Sequence, residues 1–124
     1  MAEKISRLSV VINIEVEKGS TFRHTLLWTY EEEPQTPIDL TGCTAEMQIR
    51  PYQDADEILY EMTTSNGGLT LGDAAGTIEM YIPNQDSTAW EWNDGVYGLE
   101  ITFPNTDVRR LSRGVLVAFN ETTR

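Results

Sequence analysis

Thiol and imidazole chemistry is nearly missing from this chain, which has one cysteine, Cys43, and one histidine, His24. A single cysteine forms no intrachain disulfide, and together with a single histidine it makes no zinc site of ordinary spacing. The motifs of nucleophilic and nucleotide chemistry are missing as well: there is no GxSxG elbow, GxxxxGK loop, CxxC or HxxxH. No catalytic residue, metal or cofactor is therefore expected, and the chain reads as a non-enzyme.

Positive charge is scarce too. Nine basic residues face twenty acidic ones, a formal net charge of −11, which repels nucleic acid and anionic membrane unless the few arginines gather on one face. The acidity itself reads first as a solvating surface and second as a patch that docks a basic subunit. Long apolar runs are also lacking. The stretch 8–16 is broken by Ser9, Asn13 and Glu15, too short and polar for a signal core or a membrane span, so synthesis in the cytoplasm is expected.

What is present is alternation. With 124 residues and 40% hydrophobic content the chain suits one folded domain and one core. Val10, Ile12, Ile14 and Val16 alternate with polar or outward residues, as on a half-buried strand. The same period runs through 21–30 (Phe22, His24, Leu26, Trp28, Tyr30 on one face), 43–50 (Cys43, Ala45, Met47, Ile49) and 77–83 (Ile78, Met80, Ile82). A strand is expected over 58–64, and Ser65-Asn66-Gly67-Gly68 after it reads as a hairpin turn. Asn93-Asp94-Gly95 reads as a tight turn, followed by a final hairpin of 96–103 and 108–120. Between 83 and 93 the period of two is lost, which predicts a short helical turn near residues 86–91, capped by Asp86 or Ser87.

About seven to eight strands with no long helix predict an all-β protein, an antiparallel β-sandwich of Ig-like type, with a closed barrel as the other solution. Residues 1–8 are expected as an N-terminal arm and 9–124 as the single sandwich domain.

Individual side chains carry little chemistry. His24 reads as a packed or edge histidine, Cys43 as a small core residue, and Asp54, Asp56 and Glu57 as a solvated loop without the glycine and distant glutamate of a calcium loop. Trp28 belongs to a periodic core face, and at most one of Trp90 and Trp92 is expected to be exposed. An exposed tryptophan there suits a protein interface or a sugar platform. Trp90, Trp92, Tyr81 and Arg109 are the candidate interface residues, since aromatics and arginine concentrate binding energy.

The segments Ile38-Asp39-Leu40-Thr41-Gly42, Gly68 through Ile78, Tyr97-Gly98-Leu99-Glu100 and Val108 through Gly114 occur in an order that resembles the Ig-like N-terminal domain of phage baseplate upper proteins and related small virion proteins, across Phe22 to Thr123. The same residues have local reasons: Asp39 and Thr41 can close a turn before Gly42, Gly76 permits a bend, and Gly114 fits a bulge. Gly98 stands where the family usually has an acidic residue, and a host-receptor role, which would need a receptor-binding or fibre-forming extension, is not expected. The resemblance implies a structural subunit of a bacteriophage virion (tail, baseplate, neck or capsid decoration). Its partners would be other phage structural proteins, and it would stand as a homo-oligomer or symmetric array. The competing reading is a carbohydrate-binding module that attaches to a cell surface.

Overall fold

The computed structural model describes residues 3–120 as a β-sandwich of ten strands. One sheet has the order β1(Glu3–Ile5), β4(Phe22–Trp28), β8(Thr77–Ile82), β7(Leu69–Leu71). The other runs β2(Val10–Val11), β10(Val108–Phe119), β9(Asp94–Thr102), β5(Thr44–Arg50), β6(Tyr60–Thr63), with β3(Ile14–Glu17) also on β10. This strand order, A-B-E-D against G-F-C with β6 added beyond C and β2 and β3 beyond G, is that of the immunoglobulin sandwich. The faces follow the sequence period: Ala45, Met47 and Ile49 of β5, Ile78, Met80 and Ile82 of β8, and Leu99 and Ile101 of β9 all meet in one buried core. Ala45 apart, each of these side chains contributes about 1.5–3 kcal/mol by leaving water.

Several local expectations are corrected. The first strand is split: β2 and β3 are separated at Ile12 and Asn13, and both lie parallel to β10. Within the segment expected as an arm, Glu3–Ile5 pairs parallel to β4 and Ile5 is buried, so the N-terminal stretch starts in one sheet and crosses to the other. Both sheets are consequently mixed, their parallel pairs all involving β1, β2 or β3. The first two positions of that segment, and the last four of the expected domain, lie outside the described residues.

The turn at 65–68 does not make a hairpin. β6 and β7 belong to different sheets, and Asn66 Oδ1 accepts from the Thr63 and Gly68 amides while carrying the chain across the sandwich. Turn chemistry is the same for a hairpin and for such an arch. Asn93-Asp94-Gly95 is no tight turn either, because Asp94 and Gly95 already pair with Val117 and Leu116.

The irregularity in β10 falls at Leu111, not at Gly114: Arg110 pairs with Glu100 and Ser112 with Leu99, leaving Leu111 extra. Leu111 and Ser112 are therefore buried in succession, and the inward phase of the strand flips there. Gly114 has another use. A Cβ on it would run into the Ile12 carbonyl, so glycine lets the N-terminal segment lie against β10. The helix spans Asn84–Thr88, earlier than the expected capping residues, with Pro83 in extended conformation before it.

Candidate functional site

Trp90 and Trp92 follow the helix in a stretch without strand pairing. Both are half-buried, and their rings stack with centroids 4.4 Å apart and planes 25° from parallel. Tyr60 of the edge strand β6 meets Trp90 edge-on at 5.1 Å, and its hydroxyl donates to Asp86 Oδ2 at 2.6 Å. Burial first, and then the bonded Asp86 carboxylate, pushes the Tyr60 phenol well up from its ordinary range. The stack covers one face of each indole, and both rings also pack against the core, so the pair does not offer two side-by-side platforms.

Tyr81 lies on the outer face of the four-stranded sheet, with the Arg23 guanidinium 4.2 Å above its ring. Arg109 is elsewhere. It pairs with Ile101 at one end of the β9–β10 hairpin, whereas Asp94, next to the tryptophans, pairs with Val117 at the other. The four candidate interface residues thus form no single site. At its own end Arg109 borders a cleft of about 490 Å3 with Trp28, Tyr30, Phe103 and Asp39, and its guanidinium sits 3.5 Å from Asp107. Asp39 is held as the sequence suggests, accepting from the Thr41 hydroxyl at 2.6 Å and the Thr41 amide at 3.0 Å, which keeps its carboxyl below the ordinary range.

A larger concavity, about 670 Å3, lies on the outer face of the six-stranded sheet. Its floor includes Gly98, where an added Cβ would meet nothing within 4 Å. Val11, Val96 and Val115 border it, with Arg50, Arg110 and Arg113. Sequence reasoning missed this surface. A signal was there: the run Gly114-Val115-Leu116-Val117-Ala118-Phe119 is apolar at every position, which in a strand means two apolar faces.

His24 Nε2 lies 3.0 Å from Glu3 Oε1, bridging β4 and β1 at the sandwich edge. Among the described residues no group of three or more His, Cys, Asp and Glu could hold a metal ion, and no helix is long and apolar enough to cross a membrane.

No family model and no curated protein matches the sequence. Solved structures do match the fold. The N-terminal domain of phage TP901-1 ORF48 superposes over 94% of this chain and 97% of its own, with a TM-score of 0.50 and 10% identity. Extracellular domains 3–5 of Drosophila OTK align over 95% of this chain and 35% of theirs, with a TM-score of 0.40 and 16% identity. At 10% identity the likeness to the phage domain is one of fold.

Proposed function

We propose that this chain is a non-enzymatic structural subunit of a bacteriophage particle, a tail, baseplate, neck or capsid-decoration component that works by binding other phage structural proteins. It would be made in the host cytoplasm and reside in the virion. The observation that carries the reading is the match, almost end to end on both sides, between this sandwich and the N-terminal domain of a phage protein. The ordered turn segments from Ile38 to Gly114 support the same family on independent grounds. The surface agrees with an assembly role, offering half-buried aromatics at one end of the sandwich and an exposed apolar stripe along β10, while Asp39 is spent on its turn and Arg109 on Asp107.

The test is quantitative mass spectrometry of particles purified from the phage or lysogen that encodes the chain. Expected is a fixed ratio of the chain to the major capsid protein that survives repeated banding. A chain that stays in the soluble fraction overturns the proposal. Binding of a defined glycan, lost in Trp92→Ala, would replace it with the carbohydrate-binding reading.

A further inference from the structure

The outer face of the six-stranded sheet carries Val11, Val115, Val117 and Phe119 at 40–54% exposure, four of the nine large hydrophobics left exposed among the described residues. Pairing puts them on one side. Val11 stands beside Arg113, Val115 beside Val96, Val117 between Glu15 and Asp94, and Phe119 beside Glu17. The stripe therefore has a charge polarity along β10. One end holds Arg110 and Arg113, the middle is valine, and the other end is flanked by exposed Glu15, Glu17 and Asp94.

The charges at the arginine end are mixed. Arg110 pairs with Glu100 at 2.9 Å, Glu46 stands opposite Glu100, and Arg113 makes no ion pair among the described residues. The concavity is bordered by three arginines (Arg50, Arg110, Arg113) and three carboxylates (Glu46, Asp54, Glu100), formally neutral in a chain of net charge −11. Two copies of so acidic a molecule repel through most of their surface, and on this face the neutral arginine end is the part that can lie against an acidic end without adding like charge.

We propose that this face binds a second copy of the chain, face to face about a two-fold axis near Val115. An antiparallel overlay of that kind brings the arginine end of one copy over Glu15 and Glu17 of the other, twice by symmetry, and buries the valines between. The hollow over Gly98 lies in the row of Arg113 and leaves room for side chains of the facing row. Five strands at ~4.8 Å spacing by ~20 Å of strand give about 500 Å2 per copy. A total near 1,000 Å2 is the lower bound for a specific interface, so association is reversible and depends on concentration. The inference deepens the assembly reading by naming one partner, and rests on it for its biological setting only.

The experiment is light scattering with sedimentation equilibrium from roughly 5 to 500 µM, a range that brackets interfaces of this size. Expected is a mass rising from 14.0 kDa toward its double. Val117→Lys and Arg113→Glu should each weaken dimerisation at least ~10-fold with unchanged circular dichroism, and Arg113→Glu with Glu15→Arg in one chain should restore it. A monomer throughout, or a dimer indifferent to these changes, overturns the inference. So does a monomer that loses its place in particles through Val117→Lys, which would give the face to a different subunit. A monomer still found in particles leaves the assembly reading standing alone, whereas a dimer through this face that never enters particles sinks that reading and not this one.

Discussion

The two sheets finish their outer faces differently. On the four-stranded sheet, Arg23 reaches across to the Tyr81 ring and to Glu79 at 3.5 Å, and threonines 25, 70 and 77 with the half-buried Leu27 fill much of the rest. On the six-stranded sheet the corresponding positions of β10 are Val115, Val117 and Phe119. Both sheets bury their inner faces in one core, so core formation cannot be the reason for the second set of apolar side chains. Water-exposed apolar area costs about 25 cal/mol per Å2 until something covers it. The difference is one of finish: polar and cation–π contacts close one outer face, while an apolar stripe stays exposed along β10 on the other.

Neighbours on β10 offer the sharpest break of that contrast. Leu116 is wholly buried and Val117 is 40% exposed. Leu116→Ala should cost about 3 kcal/mol in urea unfolding of dilute protein, and Val117→Ala no more than about 0.5 kcal/mol. A comparable loss at both positions would mean that the outer face is already covered within the monomer, and the contrast would fail.

How far the sequence anticipates this architecture depends on the range of each interaction. The β9–β10 hairpin, the inward residues of β5 and β8, and the Asp39–Thr41 turn are set by neighbours in sequence or by a period of two, and all are readable. The partner of β1 or β3 is not, because a parallel pairing leaves no turn between the strands to reveal it. The arch at Asn66 looks like a hairpin for the converse reason: its local bonds are those of a tight turn, while the sheets it joins are defined far away. The aromatic cluster was half visible. Trp90 and Trp92 are close in sequence, but Tyr60 reaches them from an edge strand with no local sign of it.

Gly114 tests what makes the six-stranded sheet the larger. Any side chain there meets the Ile12 carbonyl, backbone that cannot swing aside. Gly114→Ala should destabilise by about 2 kcal/mol and raise hydrogen exchange at Ile12 and Ile14–Glu17 more than in β4 or β8. Uniform loss of protection across both sheets would show that the N-terminal strands are not a separable addition to the six-stranded side.

Tyr97 gives the smallest and most specific test. It faces inward from β9, and its hydroxyl donates to the Ile12 carbonyl at 2.6 Å, with the Ser112 hydroxyl at 3.4 Å. It thus pins the kink between β2 and β3 from beneath. Tyr97→Phe removes that bond and should cost about 1 kcal/mol at about pH 7. Burial raises the Tyr97 phenol above its ordinary value, Glu3 adds to the effect, and the Ser112 bond opposes it. A folded-state value above the unfolded one stabilises fully below about pH 10 and is lost as pH climbs through the folded value. The wild type should therefore lose stability faster than Tyr97→Phe above about pH 10, and the gap between them should narrow. Tyr60, raised likewise, remains in the variant and keeps some alkaline loss that Tyr60→Phe removes. A gap that stays constant through the alkaline range would mean that the Tyr97 phenol ionises as freely in the fold as in the unfolded chain, and that its hydroxyl is not what ties the N-terminal strands to this sheet.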